Sequence, residues 1–410
     1  MVRLAVVGIG GYGWALVQTI QQVSAEAGCR IVAAADARLA AFPDRAEELA
    51  DGGAELFDDA HAMLDALGGR CDAVYIATGI GTHAPLTIAA AQAGFHVHCE
   101  KPPAAAVQDV DRMLAALDAA GRFCIVGFQA LHGRDIRFIK ERVVAGRLGR
   151  VATLACRAGW PRNRAYYSRN DWAGKLRCGD AWVLDGPAMN ALAHQVANML
   201  FLASPEPARL AAPIAVRAEL YAAGPVESHD TAAIEIRTAE GPVACFLASH
   251  CSDANFGPTI EIEAERGRVV WTMREGARTT YADGTEETCT ADDGRPQMVA
   301  SFVKAVRAND RSLLGCDLAA TRAFVLALDG AHESSGRIHR IGPEHSRTLA
   351  EGTADARTVV TGLDELLVEA ARSRCLFSDL ADGPVWAART QAFDLAGYGS
   401  FPRQFSPPSS

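Results

Sequence analysis

The sequence predicts an α/β protein in which a doubly wound parallel sheet is followed by an α+β domain with a large open mixed or antiparallel sheet. Two observations carry this prediction. Strand-like and helix-like runs alternate over residues 1–126, which is typical of a parallel sheet covered by helices on both faces. From about residue 127 the β-rich segments are longer and the helices fewer, which favours a mixed or antiparallel sheet with helices on one side.

The predicted elements follow the apolar periodicity of each segment. In the first domain, residues 1–126, strands are expected near 2–7, 30–35, 72–77, 95–99 and 122–127, and helices near 12–27, 44–51, 59–67, 84–93 and 104–120. In the second domain, residues 127–345, helices are expected near 136–146, 185–203, 297–308 and 318–329, with strands near 151–158, 213–221, 229–238, 242–250, 258–264 and 267–273. The segment 346–410 is expected to hold one helix, near 358–372, and a tail that packs on the body.

Composition and charge exclude several classes of protein. The chain of 410 residues carries a formal net charge of -9, which disfavours nucleic acid because its phosphates attract a basic surface. No apolar stretch reaches the roughly 20 residues that a membrane helix needs, and the N-terminal residues lack the layout of a signal peptide. The 11 cysteines are scattered and form no C-x-x-C pair, which indicates reduced thiols and a cytoplasmic location.

A glycine-rich turn, Gly8–Gly13, joins the first predicted strand to the first predicted helix in the pattern G-x-G-x-x-G. Gly8 permits a tight turn, Gly10 lets a pyrophosphate approach the backbone, and Gly13 lets the helix pack closely on the strand. The helix N-terminus offers unpaired N–H groups and the positive end of its dipole to phosphates. The turn therefore predicts a dinucleotide site.

The second predicted strand ends at Asp36, whose carboxylate can accept both ribose hydroxyls of an adenosine. The same carboxylate repels a 2′-phosphate, so the predicted cofactor is NAD rather than NADP. Arg38 is the one nearby residue that could reverse this preference, by pairing with that phosphate.

The strand predicted near 95–99 is followed directly by Glu100, Lys101 and Pro102. Ligands on a parallel sheet bind at the carboxyl ends of its strands, so Lys101 is expected beside the nicotinamide. A lysine there can exchange a proton with a substrate hydroxyl if its surroundings lower its pKa. Taken alone, the same residues could be a surface lysine before a proline that starts a helix.

Together these features resemble the glucose–fructose oxidoreductase / inositol dehydrogenase / MocA family of oxidoreductases. The matching segments are 8–13, Asp36, 72–78 with His83, 93–102 and 146–151. The resemblance implies an N-terminal Rossmann domain, a C-terminal domain whose open sheet makes subunit contacts in a homodimer or homotetramer, and hydride transfer between NAD(P) and a carbon of a sugar, cyclitol or related polyol. The residues that the motif and the resemblance place around the cofactor are Gly8, Ile9, Gly10, Gly11, Tyr12, Gly13, Asp36, Ala37, Arg38, Thr78, His83, Glu100 and Lys101.

The family usually carries an Asp and a His four residues apart on a helix of the second domain, and here His194 matches the histidine while Asn190 stands in place of the aspartate. The spacing of Asn190, His194 and Asn198 predicts one polar stripe on an apolar helix, with His194 in proton transfer and Asn190 orienting a hydroxyl or the imidazole. The rival interpretation is that His194 is a core residue. Asp185 is expected either to cap this helix or to bind substrate.

The segment 160–172 is rich in aromatic, Arg and Asn side chains, which stack on sugars and bind hydroxyls or carboxylates. It is either a substrate surface or a structured loop, and the candidate ligands in it are Trp160, Arg162, Tyr166 and Trp172. His96 and His98 alternate with Glu100 on one strand, but no fourth ligand follows at useful spacing, so no metal site is predicted. His229 and His250 are expected to be structural.

The sequence thus predicts an NAD-dependent oxidoreductase acting on a small polyhydroxylated substrate, with Lys101 and His194 carrying proton transfer. Two other classes remain open. A redox-neutral hydrolase, lyase or epimerase could use tightly bound NAD for a transient oxidation. A protein that only senses NAD is the third class, and the presence of Lys101 and His194 argues against it.

Overall fold

The computed structural model describes residues 1–407 and divides the chain into two compact units. The first unit contains residues 1–104, 108–133 and 293–322, and the second contains residues 105–107, 134–292 and those from 323 onward. The domain boundaries expected from sequence, after 126 and 345, stay a prediction. The last residues of the predicted tail, 408–410, lie outside the described residues.

The strands follow one another in two groups along the chain. They are β1 (Val2–Val7), β2 (Cys29–Ala35), β3 (Glu55–Phe57), β4 (Ala73–Ile76), β5 (His96–Cys99), β6 (Cys124–Val126), β7 (Val151–Gly159), β8 (Arg177–Cys178), β9 (Ala181–Trp182), β10 (Pro213–Ala222), β11 (Thr231–Thr238), β12 (Val243–Ser249), β13 (Phe256–Ala264), β14 (Gly267–Thr272), β15 (Gly276–Tyr281), β16 (Glu286–Cys289), β17 (His339–Arg340), β18 (Ser346–Leu349), β19 (Arg357–Val360) and β20 (Phe393–Asp394).

The α-helices lie between and after these strands. They are α1 (Gly11–Ala27), α2 (Pro43–Asp51), α3 (Ala60–Ala66), α4 (Ile80–Gln92), α5 (Val107–Ala120), α6 (Arg134–Val144), α7 (Arg164–Tyr167), α8 (Ala193–Ala203), α9 (Arg295–Ala308), α10 (Leu318–Ser335) and α11 (Leu363–Ser373). Within the part of the chain that is described, no helix is long and apolar enough to cross a membrane.

The first unit is built on a parallel sheet with the strand order β3-β2-β1-β4-β5-β6. The order reverses between β1 and β4, which is the switch point where doubly wound sheets bind ligands. The predicted parallel sheet is confirmed. The short strand β3 was not predicted, because three residues with a polar first position carry too little pattern.

Helix α9 supplies part of the core of the first unit, although it follows strands β7 and β10–β16 of the second sheet in sequence. Its side chains Met298 and Phe302 are fully buried in one cluster with Leu4 of β1 and with Leu16 and Ile20 of α1. Burial of each such side chain stabilises the fold by about 1.5–3 kcal/mol. The stretch 293–322 is therefore an integral part of the dinucleotide-binding unit.

The second unit contains a large mixed sheet with the order β16-β15-β14-β13-β7-β12-β11-β10-β17, and β20 pairs with β10. Neighbouring strands are antiparallel except for β7 with β12 and β10 with β17, which are parallel. This confirms the predicted open mixed sheet. Helix α11 buries Leu363 and Leu367 in one cluster with Leu247 of β12 and Phe377.

The C-terminal tail is held by Glu333, a fully buried carboxylate on α10. Its Oε1 accepts hydrogen bonds from the Tyr398 hydroxyl at 2.7 Å and from the Arg403 N–H at 2.5 Å. Its Oε2 accepts from the N–H groups of Gln404 and Phe405, at 2.7 and 2.9 Å. Four donors thus satisfy the oxygens of one buried carboxyl group, and the tail packs on the body of this unit up to residue 405.

Candidate functional site

The glycine-rich turn lies where β1 passes into α1. A Cβ added at Gly8 would lie 2.4 Å from the Ala77 carbonyl oxygen, and one at Gly13 would lie 2.1 Å from the Gly8 carbonyl oxygen. Both distances are far shorter than van der Waals contact, so only glycine fits at these positions. This explains the tight strand–helix approach that the motif predicts. At Gly10 the nearest atom to an added Cβ belongs to the Phe42 ring, at 2.9 Å.

The start of α1 is suited to a pyrophosphate. Its N-cap is Gly10, which provides no side-chain acceptor to the first turn. The first turn of a helix leaves several N–H groups without partners inside the helix, and they attract phosphate oxygens. The uncapped first turn of α1 therefore fits the phosphates of a dinucleotide.

Asp36, at the end of β2, holds the glycine-rich turn in place. Its Oδ2 accepts hydrogen bonds from the backbone N–H groups of Ile9 at 2.9 Å and Gly10 at 3.2 Å, and its Oδ1 accepts from the Arg38 N–H at 2.8 Å. A carboxylate offers about four acceptor positions, so room remains for a ribose hydroxyl. Arg38 is exposed, and its guanidinium lies 5.8 Å from the centroid of the Phe42 ring.

His83 connects two loops that follow neighbouring strands. The imidazole is buried, and its Nδ1 lies 2.8 Å from the Pro102 carbonyl oxygen while its Nε2 lies 3.1 Å from the Thr78 carbonyl oxygen. Burial lowers its pKa, and the two carbonyl contacts oppose this shift. The Thr78 hydroxyl is 2.7 Å from that of Thr82. His83 therefore positions the Thr78 loop against the turn that carries Lys101; its expected contact with the cofactor stays a prediction.

Glu100 is a buried carboxyl next to the half-buried Lys101. Burial raises the pKa of Glu100 to about 7, against the lowering effect of the Lys101 charge. Oε2 accepts a hydrogen bond from the Lys101 N–H at 3.2 Å, and Oε1 has no hydrogen-bond partner within residues 1–407. A Cβ at Gly127 would lie 2.4 Å from Oε1, so a glycine is needed there to make room for the carboxyl.

Arg295 is a residue near this site that sequence reasoning missed. Its guanidinium lies 5.8 Å from the centroid of the Tyr12 ring and forms an ion pair of 3.1 Å with Asp293. Its charge also lowers the pKa of Glu100, although less than Lys101 does. No local pattern could have revealed this contact, because 283 positions separate Arg295 from Tyr12 in the sequence (295 − 12).

The histidines on β5 pack against aromatic rings. His98 stacks on Tyr75 with 4.5 Å between ring centroids, and His96 lies 3.9 Å from the centroid of Phe123. Burial lowers the pKa of both, to about 3 for His98 and about 4 for His96. Among the described residues, no group of three His, Cys, Asp or Glu side chains converges as a metal site would require.

In the second unit the helix predicted over 185–203 is interrupted, so that prediction is wrong in its first part. Residues Pro187–Ala191 form a π-helical turn, Leu192 leaves helical geometry, and α8 begins only at Ala193. The α-helical spacing expected between Asn190 and His194 therefore does not hold. Single π-turns are frequent at functional sites.

Asp185 precedes this turn, and its carboxylate is buried. Oδ1 accepts a hydrogen bond from Asn190 Nδ2 at 2.7 Å, and Oδ2 accepts one from the Gly174 N–H at 2.6 Å. The N-cap of the π-turn is Gly186, so the expected capping role of Asp185 is wrong. A Cβ at Gly186 would lie 2.6 Å from His229 Nε2, which explains why the turn carries a glycine there.

Three polar residues of the predicted stripe differ in exposure. Asn190 and His194 are partly exposed, whereas Asn198 is fully buried, and neither of its amide atoms finds a hydrogen-bond partner within residues 1–407. Most of their neighbours on α8 are buried and apolar. Asn190 and His194 are thus the two stripe residues that a ligand could reach.

The segment 160–172 forms a layer of arginine and aromatic side chains around Tyr166. Arg162 lies 4.6 Å from the centroid of the Tyr166 ring and 5.2 Å from that of Trp160. Arg169, which the sequence analysis did not single out, lies 3.6 Å from the Tyr166 centroid and 5.3 Å from that of Trp172. The neighbouring Tyr167 hydroxyl is 3.1 Å from Nδ1 of His250, a buried histidine like His229.

Comparisons with known proteins agree with this architecture. The family model described as "Oxidoreductase family, NAD-binding Rossmann fold" matches residues 2–128, and the model described as "GFO/IDH/MocA C-terminal domain" matches residues 136–270. A myo-inositol 2-dehydrogenase of Thermotoga maritima is 29% identical over 152 residues, which are 37% of this chain and 43% of that protein. A D-glucoside 3-dehydrogenase of Escherichia coli is 30% identical over 161 residues, 38% of this chain and 43% of that protein. The matched part of the chain thus spans less than half the length of these two curated relatives.

Solved structures share the fold. The WlbA dehydrogenase from Bordetella pertussis, in complex with NADH and UDP-GlcNAcA, superposes with a TM-score of 0.67 at 24% identity, over 82% of this chain and 96% of that one. A levoglucosan dehydrogenase in complex with NADH and levoglucosan gives a TM-score of 0.67 at 21% identity, over 82% and 97%. The two matching family models, one for each half of the architecture, establish that the chain belongs to the GFO/IDH/MocA oxidoreductase family and carries its NAD-binding Rossmann domain.

Proposed function

We propose that the protein is an NAD-dependent oxidoreductase that transfers a hydride between nicotinamide and a carbon of a sugar, cyclitol or related polyol. One observation carries the proposal. The glycine turn, Asp36 and Lys101 follow the carboxyl ends of β1, β2 and β5, which are strands of one parallel sheet. A nucleotide fixed by the first two would lie along the edge from which Lys101 projects.

The residues that would hold the cofactor fall into three groups. The start of α1 takes the pyrophosphate, Asp36 takes a ribose hydroxyl, and the loops after β4 and β5 border the nicotinamide end. When bound, NAD supplies the carbon that accepts or returns a hydride. The chain has to exclude water, orient the reacting C–H bond and move one proton.

We assign the transfer of that proton to Lys101 and His194. In the oxidative direction the substrate carbon loses a hydride and its hydroxyl loses a proton, so a lysine or histidine that receives this proton must be in its neutral form. Lys101 lies between the buried carboxyl of Glu100 and Pro102, whose carbonyl oxygen contacts His83 and fixes the backbone turn. His194 is partly exposed on an otherwise buried helix, as a group that exchanges protons with a ligand must be.

Asn190 would orient the substrate hydroxyl or the imidazole. Its amide is fixed by the Asp185 carboxylate, which can only accept hydrogen bonds while ionised. Trp160, Arg162, Tyr166 and Trp172 would contribute the surface on which the polyol packs, since aromatic faces bind sugar C–H groups. The large sheet of the second unit would form the contacts of a homodimer or homotetramer, and the cytoplasm would be the site of action.

The test is a panel of polyols, sugars and glycosides incubated with NAD, followed by NADH absorbance and product mass spectrometry together. Oxidation of at least one substrate with stoichiometric NADH supports the proposal. Tight NADH binding without turnover of any panel member, in a panel that includes acidic and glycosidic substrates, counts against it.

A second candidate is a redox-neutral reaction with bound NAD. The observation in its favour is a relative named 2,7-anhydro-N-acetylneuraminate hydratase, from Mediterraneibacter gnavus, which is 32% identical over 39% of this chain and 40% of that protein. In such a reaction product forms while no NADH accumulates, so the same two measurements separate the candidates.

A further inference from the structure

Arg162 and Arg169 both lie on the Tyr166 ring, with their guanidinium carbons 4.6 and 3.6 Å from its centroid. Each arginine also reaches one indole, that of Trp160 at 5.2 Å or that of Trp172 at 5.3 Å. We call these five side chains the Arg–aromatic stack. A guanidinium that lies on an aromatic face keeps its N–H donors in its own plane, where they can bind two oxygens of a carboxylate or a phosphate.

The positive charge of the stack is not balanced by a direct ion pair. Neither Arg162 nor Arg169 pairs with a carboxylate among residues 1–407, whereas Arg142 in the same unit pairs with Glu287 at 2.6 Å. Arg162 is half-buried, and its Nε is shielded from solvent without a hydrogen-bond partner among the described residues. Shielding a charged donor without an acceptor is costly, so the geometry favours a ligand that brings one.

The stack is joined to the polar pair Asp185–Asn190. Trp172 lies in a turn in which Asn170 Oδ1 accepts from the Ala173 N–H at 2.8 Å, and the next residue, Gly174, donates its N–H to Asp185 at 2.6 Å. Asp185 and the two arginines also act electrostatically on the Tyr166 phenol. Burial raises the pKa of the Tyr166 phenol, Asp185 raises it further, and the two arginines lower it.

We propose that the Arg–aromatic stack is an anion subsite and that the substrate is an acidic polyol. The polyol ring packs against the aromatic faces, and its anionic group, a carboxylate or a phosphate, is bound by Arg162 and Arg169. This inference rests on the proposed function, because it places the anion beside the residues assigned to orient the reacting hydroxyl.

The first test compares sugars that differ only in charge. NADH-loaded and NAD-loaded protein is titrated calorimetrically with D-glucose, D-glucuronate, the methyl ester of D-glucuronate and glucose 6-phosphate, and the same set is repeated in the galactose series. The acidic members should bind about tenfold or more tightly than the neutral sugar and the ester, and added salt should weaken only the acids. Preference for the uronate identifies a carboxylate, and preference for the phosphate identifies a phosphoryl group. Equal or tighter binding of the neutral members, or no binding of any acid at millimolar concentration, overturns the proposal.

The second test uses charge-removing variants. Arg162→Met and Arg169→Met keep the stem of the side chain, and Arg164→Met, an exposed arginine of α7 with no contact to the Tyr166 ring, is the matched control. Each stack variant should lower the ratio of acid to neutral affinity by about ten- to a hundredfold, since charge-assisted hydrogen bonds are lost, while Arg164→Met leaves the ratio unchanged.

These outcomes are distinguishable from failure of the proposed function. Binding is measured without turnover, so the subsite can be tested even if the chemistry is redox-neutral. NADH affinity of the variants should match the parent, because the stack belongs to the second unit and the glycine turn to the first. Equal loss of acid and neutral binding would show that the arginines only hold the loop together, and the anion subsite would be wrong.

Discussion

The side-chain amide of Asn190 donates a hydrogen bond through Nδ2 to Oδ1 of the buried Asp185 carboxylate, at 2.7 Å. An ionised carboxylate has no proton to donate, so this contact fixes which end of the amide faces Asp185. The side-chain carbonyl oxygen of Asn190 is then the end of the amide that does not face Asp185, and it can act only as an acceptor. At the position where the sequence analysis expects the family's aspartate, the chain thus has a neutral side chain that is itself held by a carboxylate five residues earlier.

This contact predicts that Asn190→Asp is unfavourable. Two carboxylates would meet at hydrogen-bond distance, and at neutral pH the free energy of unfolding should fall by about 1–3 kcal/mol. The loss should vanish at acidic pH, where one carboxyl takes up a proton. The double variant Asp185→Asn with Asn190→Asp restores one donor and one acceptor and should recover most of the stability. Urea unfolding of the parent, the single variant and the double variant at pH 5 and pH 7.5 measures these differences. If Asn190→Asp is as stable as the parent at both pH values, the prediction is contradicted.

Lys101→Met should remove turnover while leaving the first unit intact. The substitution keeps the aliphatic stem and deletes the charge, and loss of a positioned acid–base group typically costs about 10²–10⁴ in rate. NADH binding and thermal unfolding should remain close to the parent. If the variant still turns over at more than a tenth of the parent rate, Lys101 is not catalytic.

His194→Ala separates a catalytic from a structural histidine. A proton-transfer role predicts loss of most turnover and of one limb of the pH–rate profile, because the imidazole has to change its protonation state during the reaction. Melting and NADH affinity should change little. A core role predicts the opposite pattern, with stability lowered by roughly 1–3 kcal/mol and near-normal turnover of the folded fraction.

The raised pKa of Glu100 predicts that the free energy of unfolding depends on pH. Its pKa is about 7 in the folded protein and 4.5 in an unperturbed chain, so the folded state holds more protons between these values. Stability should therefore fall as the pH rises from about 4.5 to about 7, by roughly 3 kcal/mol, and level off above that. Glu100→Gln is neutral at every pH and should flatten this slope.

The control for this measurement is Glu47→Gln, at an exposed position of α2. Urea unfolding is followed from pH 4.5 to pH 8 for parent, variant and control. The control should keep the slope of the parent. If the parent shows no fall over this range, or if the fall survives in Glu100→Gln, the raised pKa of Glu100 does not govern it.

The Rossmann half could be predicted closely because its signals are local. Apolar runs of strand length, glycines and helix-period segments lie next to one another in sequence, and the observed β1, β2 and α1 begin within one residue of their predicted positions. The strands from β10 to β14 were also predicted, since each is long and bounded by turn residues. Short edge strands such as β16 and β17 carry too few residues for a periodic signal.

The site was less predictable because two of its features are not local. The π-turn at Pro187–Ala191 changes the direction of Asn190 relative to α8, and its residues read as an ordinary helix start. Its glycine is explained only by His229, which comes from a different part of the chain. Likewise Arg295 reaches Tyr12 through the packing of α9, which no spacing in the sequence encodes.

The three backbone hydrogen bonds that end on Asp36 have a consequence for redesign of cofactor choice. Replacing this carboxylate by glycine, alanine or a basic residue, to remove the charge that repels the phosphate of NADPH, would also release the N–H groups of Ile9 and Gly10. Relaxed specificity would then come with a looser phosphate turn and weaker binding of both nucleotides. A serine or asparagine, which keeps an acceptor oxygen without the full negative charge, is the exchange that this architecture tolerates best.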